Sequence, residues 1–418
     1  MIDNIKRVVR PVVDFVKPAA EAAVDVVKDV TARVTGQNKD AFEAARPAGP
    51  TPLPRFGTIS EKQAQAYAAL PPEDQQRYNR VFESISGDPR SRAAMRTLLT
   101  AGSLTSHATG GQGGTLLQHL ETLGLASKLK DGIDPAQLQQ QLVQDLAFPE
   151  RISQGADNVI CGATAALTDL AFARPAEYAR LTTEMATRGE VSLGRGSKDD
   201  LSLKLRKLSD ENANDRSLTQ RLLAVPLLEA AVSEGKVGED GEVITREGGF
   251  NVFGWNLFGR KEVRHGTVSD EMEAMKAALT RGRADDEAFE SLYLGGAPAE
   301  SQAAPVTTDR VLGVIEEQLA NRASPAIKVL GENGEEAHWV TVTGVDDDQL
   351  IIADGRGRRQ RVNAEEFLGR ADALTYDVNV GDTRERVRGA ATSGEERAGG
   401  GGKLSTGSGS IEDMGRRR

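Results

Sequence analysis

The feature that most constrains the fold is a change in hydrophobic period near residue 326. Upstream of it, two segments at 269–282 and 307–320 carry apolar residues three and four positions apart, as amphipathic helices do. Downstream, apolar and polar residues alternate as in strands. Helices followed by consecutive strands predict an α+β fold with an antiparallel sheet. The alternating runs are AIKVL (326–330), HWVTVTGV (338–345), QLIIAD (349–354) and ALTYDVNV (373–380).

The first half of the chain reads as helices. Between residues 58 and 148, four segments have helical spacing with glycine-rich joints, and Asp-Pro or Pro-Pro stands at the start of several. They predict a small all-helical region ahead of the sheet-bearing domain. The segments are PPEDQQRYNRVFESI (71–85), DPRSRAAMRTLLTAG (88–102), GTLLQHLETLGLASKL (114–129) and DPAQLQQQLVQDLAF (134–148).

The two ends of the chain differ in composition from the middle. Residues 1–35 have apolar residues at helical spacings broken by Pro11 and Pro18, which predicts an amphipathic helical segment that contacts a partner or a membrane surface. The alternative is a helix packed on its own protein, or simple disorder. Residues 36–57 read as a Pro, Gly and Ala linker, and 383–418 as a disordered Gly and Ser tail.

Charge and composition exclude several classes of function. The net charge of −10 argues against nucleic-acid binding, which needs a basic face. One cysteine cannot form an internal disulfide, and with four histidines it does not easily build a zinc site, so we expect no metal and no cofactor. No stretch approaches the roughly 20 apolar residues of a membrane span, and no cleavable signal is recognisable.

Cys161, the single cysteine, begins an alanine-rich apolar run that predicts a helix. A thiol attacks as thiolate, and both a helix N-terminus and a nearby imidazolium lower its pKa. Gly162 leaves room beside the sulfur. A glutamine upstream, Gln154, and the Cys161 backbone N–H are candidate donors to an oxyanion. Cys161 is therefore either a nucleophile or a buried structural residue.

A predicted hairpin around Asp346–Asp348 brings a histidine and an aspartate together. His338 shares strand parity with the apolar even-numbered residues of its arm, and Asp354 with those of the return arm. A loop centred on Asp347 places Asp354 opposite Val340 and diagonal to His338, about 7–8 Å away between backbones. The pattern predicts that the Asp354 carboxylate orients the imidazole. A slip of one residue would separate them.

These residues resemble the papain-like cysteine peptidases, in particular the bacterial bacteriocin-processing type with its order Gln, Cys, His, Asp. CGAT opening a helix, a helix before AIKVL, HWVTVTGV, Asp354 ending a strand, and NAEEFLGR (363–370) carry the resemblance. It implies a papain-like domain over 149–382, in which a helix bearing Cys161 packs on an antiparallel sheet bearing His338 and Asp354.

The resemblance also implies a role for each residue. Gln154 would be the oxyanion-hole donor, Cys161 the nucleophile, His338 the general base and acid, and Asp354 the residue that orients the imidazole. Two features depart from the family. Gln154 precedes Cys161 by seven positions (161 − 154), slightly more than usual, and the 177 positions between Cys161 and His338 (338 − 161) require a large insertion at about 190–300.

The resemblance implies a cysteine-dependent peptidase or amide hydrolase that forms an acyl-enzyme at Cys161 on a polypeptide or peptide-like substrate. Two alternatives stay open: a catalytically inactive papain-like binding module, and a transglutaminase or deamidase toxin that uses the same triad. The resemblance further suggests a bacterial effector. We expect it in the bacterial cytoplasm, or exported without a cleavable signal peptide.

Overall fold

The computed structural model describes the chain between residues 59 and 378, with gaps. The predicted N-terminal segment (1–35), linker (36–57) and tail (383–418) lie outside the described residues. The described ranges are 59–110, 113–155, 160–194, 201–208, 216–232, 236–238, 242–247, 250–252, 255–257, 260–264, 267–281, 289–294, 307–330 and 337–378.

Helices form where the apolar spacing predicts them, and polar residues or prolines begin them. Asp88 and Asp134 each accept hydrogen bonds from backbone N–H groups of the first turn, and a proline follows each. Pro175 also separates two consecutive helices, since it is the first residue of the second one. The helices are α1 (Glu61–Ala68), α2 (Pro72–Ser84), α3 (Pro89–Thr100), α4 (Leu116–Leu125), α5 (Pro135–Ala147), α6 (Cys161–Ala173), α7 (Pro175–Arg188), α8 (Leu218–Ala231), α9 (Ser269–Arg281), α10 (Thr308–Ala320) and α11 (Ala364–Leu368).

One continuous apolar core joins the helices from α1 to α9. It runs from Tyr67 in α1 through Leu142 in α5 and Leu167 in α6 to Leu279 in α9, and these side chains are buried. The helix α6 is covered on most of its surface, which agrees with its alanine-rich composition. The predicted boundary between 148 and 149 crosses this shared core, and the division into domains stays a prediction.

The strands confirm the α+β class and the antiparallel sheet. Six strands pair in the order β12-β11-β10-β9-β13-β8, and every neighbouring pair is antiparallel. Helices α10 and α11 pack against the sheet around Val340 and Ile352, while α6 lies against β10, where Thr341 Oγ1 donates to the Ala165 carbonyl (3.1 Å). The strands of this sheet are β8 (Phe289–Tyr293), β9 (Ala326–Leu330), β10 (Ala337–Asp346), β11 (Gln349–Ala353), β12 (Arg359–Asn363) and β13 (Ala371–Asp377).

The hairpin between β10 and β11 has the predicted register near Asp354, but its turn differs from the predicted one and a β-bulge follows it. Its loop has two residues, Asp347 and Asp348, because Asp346 pairs with Gln349. Asp347 has a positive φ of 53°, a conformation that aspartate tolerates in tight turns. The register then shifts at Thr343, a β-bulge, so that Thr341 pairs with Ala353. Asp354 therefore follows opposite Val340, as the sequence predicts.

The region of the predicted insertion contains α8, α9 and several short strands. The strands are β1 (Glu190–Ser192), β2 (Ser202–Lys204), β3 (Lys236–Val237), β4 (Val243–Glu247), β5 (Phe250–Val252), β6 (Trp255–Leu257) and β7 (Arg260–Arg264). They form a β1-β2 pair, a three-stranded β3-β4-β7 sheet and a β5-β6 hairpin. In the described part of the chain, no helix has the length and apolar character that crossing a membrane requires.

Candidate active site

Cys161 is the first residue of α6, at the end of the helix where backbone N–H groups are unpaired. Its side chain is buried, with 4% of the residue exposed. The backbone N–H groups of Gly162 and Trp339 both donate to the Cys161 sulfur, so the start of α6 and the start of β10 meet at this atom. Positive partial charge from a helix N-terminus favours the thiolate over the thiol.

His338, the second residue of β10, is the side-chain partner of the thiol. These two residues are 177 positions apart in the chain (338 − 161) and meet in the fold. The other side of the imidazole faces a carbonyl, since His338 Nε2 lies 2.5 Å from the Asp354 main-chain oxygen. A carbonyl oxygen only accepts, so Nε2 carries the proton and donates. Nδ1 is then the nitrogen that takes the thiol proton.

The two side chains shift each other's pKa in opposite directions. Burial acts to raise the pKa of Cys161, but the hydrogen bond and charge of His338 and the two backbone donors outweigh it, so the pKa lies below its ordinary value. Burial acts to lower the pKa of His338, but the Cys161 thiolate and the Asp354 carbonyl outweigh it and raise the pKa. Both directions favour a thiolate and imidazolium pair.

Asp354 contacts His338, but not in the predicted way. Its carboxylate does not face the imidazole. Oδ1 accepts from the backbone N–H groups of Arg356 (2.8 Å) and Arg358 (3.1 Å), and Oδ2 accepts from the Gln360 side chain (2.7 Å). The predicted orientation of the imidazole by a carboxylate is thus replaced by a main-chain contact. The carboxylate instead holds the loop in which the carbonyl lies.

Gln154 is buried beside this loop. Its backbone N–H donates to the Gly355 carbonyl (2.7 Å), and the neighbouring Ser153 forms an isolated bridge with Arg356. The Oε1 atom of Gln154 is buried and accepts no hydrogen bond from the described residues. Among those residues its side chain also makes no hydrogen bond to Cys161 or His338. The role of Gln154 as an oxyanion donor stays a prediction.

Thr267 is a residue of this site that the sequence reasoning missed. Its carbonyl accepts a hydrogen bond from the indole Nε1 of Trp339 (2.9 Å), and its side chain lies against Gly162. A Cβ added to Gly162 would lie 2.5 Å from Thr267 Cβ and Cγ2. Thr267 therefore contacts both residues whose backbone N–H groups donate to the sulfur. No short motif surrounds Thr267, so the sequence carries no signal for this contact.

The chemistry of the site rests on these side chains and backbone groups. Within the described ranges, no three His, Cys, Asp or Glu side chains are grouped so that they would hold a metal ion. Comparisons with protein-family models, curated proteins and solved structures found no match to this chain. What the site can do chemically is therefore argued from the Cys161–His338 pair itself.

Proposed function

We propose that this chain is a cysteine-dependent peptidase or amide hydrolase with a papain-like arrangement of its catalytic residues. The observation that carries the proposal is the contact between Cys161 and His338, with the cysteine at a helix start and its pKa lowered. A structural cysteine in an apolar environment has a raised pKa instead. The antiparallel sheet that bears His338 and packs against α6 supports the papain-like interpretation.

The reaction follows from the protonation states of the pair. The Cys161 thiolate attacks the carbonyl carbon of the scissile amide, and the carbonyl π electrons move to oxygen. The N–H groups at the start of α6, with Gln154 as a further donor, would stabilise that oxyanion. His338 gives its Nδ1 proton to the leaving amine, and the C–N bond breaks. His338 then takes a proton from water, which attacks the thioester and releases the acid and Cys161.

Alkylation of the intact protein with iodoacetamide across pH tests the proposal. The thiolate is the reactive form, so we expect stoichiometric labelling of Cys161 with a pH midpoint below the ordinary thiol value of about 8.5. In His338→Ala only the two backbone donors still oppose the burial of the sulfur, so the midpoint should move upward, to about 8.5. His107→Ala, which changes an exposed histidine in another part of the chain, is the matched control.

The same experiment separates the alternatives. A thiol that reacts only after unfolding, or a midpoint that His338→Ala leaves in place, would contradict the enzyme and favour the inactive binding module. Peptide-library hydrolysis, with Cys161→Ala as the blank, then identifies the bond. A transglutaminase or deamidase would instead release ammonia from glutamine peptides through the same acyl-enzyme. The effector role and the bacterial location stay predictions.

A further inference from the structure

The loop at residues 354–358 brings arginines directly beside the imidazole. His338 Nε2 contacts the Asp354 carbonyl, and the Cα of Gly355 faces the ring, since a Cβ added there would lie 3.6 Å from Cε1 and Nε2. Arg356 is the next residue. Its charge reaches His338, where it acts to lower the pKa of the imidazole. Gly355 and Gly357 have positive φ angles of 66° and 77°, which make the loop tight.

Four arginines lie in this loop or next to it, and we call them the arginine patch: Arg151, Arg356, Arg358 and Arg359. All four are exposed. Arg151 belongs to it because its carbonyl lies against Gly357, and its guanidinium lies over the ring of Phe148 (4.8 Å to the centroid). None of the four forms an ion pair with a described residue. Elsewhere in the described ranges, ion pairs hold arginines of α2 and α7 as well as Arg361 of β12.

The patch is unusual for this chain because the net charge of the protein is −10. Clustered like charges repel each other, and neighbouring carboxylates relieve that repulsion at other sites on the surface. For Arg356, Arg358 and Arg359 the nearest acidic group along the chain is Asp354, whose Oδ1 accepts from main-chain N–H groups of the same loop, and for Arg151 it is Glu150. Four guanidinium groups against the carboxylates of Asp354 and Glu150 leave the patch with a net positive charge, which is available to a bound molecule.

We propose that the arginine patch binds acidic side chains of the polypeptide substrate, next to the bond that Cys161 attacks. This inference rests on the proposed function and names the class of its substrate. Arginine pairs with carboxylates through a planar fork of donors, so glutamate and aspartate are suitable partners. A short acidic segment interacts electrostatically with the patch alone, because charges more than about 10 Å apart are largely screened at 0.1 M salt. A long polyanion would also meet the acidic remainder of the surface.

Binding tests the patch without any catalysis. The Cys161→Ala protein is titrated against a fluorescein-labelled Gly-Ser decapeptide that contains four glutamates, and against the same peptide with glutamines. We expect the glutamate peptide to bind more tightly at low salt. Replacing Arg356, Arg358 and Arg359 with glutamine should weaken its binding about tenfold, at about two- to threefold for each charge. Lysine at the same positions should restore only part of the affinity, because it keeps the charge but lacks the planar fork of donors.

Substitution of these side chains should leave the loop intact, because Arg356 and Arg358 donate to Asp354 through their backbone N–H groups and not through their side chains. Arg90→Gln is the matched control, since Arg90 is exposed on α3, which packs on α1 and α5 rather than on the sheet. Equal binding of the two peptides, or an unchanged affinity in the triple glutamine variant, would overturn the inference. Tighter binding of duplex DNA or of phosphatidylserine vesicles than of the glutamate peptide would overturn it too.

A second measurement uses the cysteine with charged and neutral reagents. The ratio of the alkylation rates with iodoacetate and iodoacetamide should fall about two- to threefold in Arg356→Gln, because only iodoacetate is attracted by the charge. An unchanged ratio argues against the patch. If Cys161 is inert to both reagents while the glutamate peptide still binds, the hydrolase is refuted and the acidic partner remains. If the thiol is reactive and neither peptide preference nor rate ratio is seen, the hydrolase stands and the patch is refuted.

Discussion

Replacing Gly162 with alanine adds one methyl group beside the nucleophile, where Thr267 leaves no room for it. The new Cβ would lie 2.5 Å from Thr267 Cβ and Cγ2, whereas ordinary contacts lie at 3.4–4 Å. Overpacking of this kind costs about 1–3 kcal/mol. Alanine in a helix otherwise gains roughly 0.5–1 kcal/mol over glycine. We therefore expect Gly162→Ala to lower the free energy of unfolding by about 1–2 kcal/mol.

A double-mutant cycle combines Gly162→Ala with a second substitution that removes the side chain of Thr267. Thr267→Gly deletes all three atoms that the new methyl group would meet, and it keeps the carbonyl that binds the Trp339 indole. In that background, Gly162→Ala should stabilise the protein by about 1 kcal/mol, which gives a coupling of about 2–3 kcal/mol between the two sites. The overlap also displaces the N–H donors of the sulfur, so Gly162→Ala alone should move the thiol pKa upward.

Urea unfolding measures the stability of the four proteins, and the pH midpoint of iodoacetamide alkylation measures the thiol pKa. Gly87→Ala is the control, because a Cβ at Gly87 would meet nothing within 4 Å. The close contact between Gly162 and Thr267 is refuted if Gly162→Ala unfolds at the wild-type urea concentration and keeps the wild-type alkylation midpoint. It is also refuted if the effects of Gly162→Ala and Thr267→Gly simply add, since additivity means that the residues do not contact each other.

Three further predictions concern carboxylates. Burial raises the pKa of Asp145 from 3.8 to about 6. The wild-type protein is therefore most stable below about pH 4, where Asp145 is protonated in both states, and it loses this stability as the pH rises through 6. In urea unfolding, the free energy of unfolding of Asp145→Asn should rise relative to that of the wild type by about 3 kcal/mol between pH 4 and pH 8. Glu177→Gln removes one of the two carboxylates that pair with the fully buried Arg180 charge, while Glu184 (3.3 Å) remains, and should cost about 3 kcal/mol in thermal unfolding. Asp354→Asn keeps an acceptor for the loop and should leave the pH midpoint of alkylation near the wild-type value, whereas Asp354→Ala should raise this midpoint. If both variants raised the midpoint equally, the result would instead favour direct contact of the carboxylate with His338.

Four of the six strands, and the register of the hairpin between β10 and β11, were predictable because burial enforces parity. The four predicted strands form where apolar residues alternate along the chain. The hairpin shows the limit. Its two-residue turn alone would continue the pairing of Asp346 with Gln349 and set Asp354 opposite Thr341. The bulge at Thr343 restores the predicted pairing, and no sequence pattern predicts a bulge that depends on packing at both faces.

The parts of the site that the sequence does not predict depend on contacts without periodicity. The edge strand β12 (RQRVN) is exposed almost throughout, so it lacks the alternation that identifies β10 and β11. Whether Asp354 faces His338 with its carbonyl or with its carboxylate depends on the conformation of the loop. The hydrogen bonds that Asp354 Oδ1 accepts are local to this loop, and they require the positive φ angles of Gly355 and Gly357. Thr267 reaches Gly162 only because α9 packs on α6, and that packing is a property of the tertiary fold.

The electrostatics of the pair explain why main-chain groups matter so much here. A carboxylate facing Nε2 would stabilise the imidazolium with a full charge, but a carbonyl dipole takes its place because the loop occupies the Asp354 carboxylate. Arg356 opposes the imidazolium further. The positive charge on His338 therefore depends chiefly on the Cys161 thiolate, and the thiolate depends on His338 and two backbone N–H groups. Each charge is maintained by the other, so an acidic substrate that neutralises Arg356 should strengthen the pair when it binds.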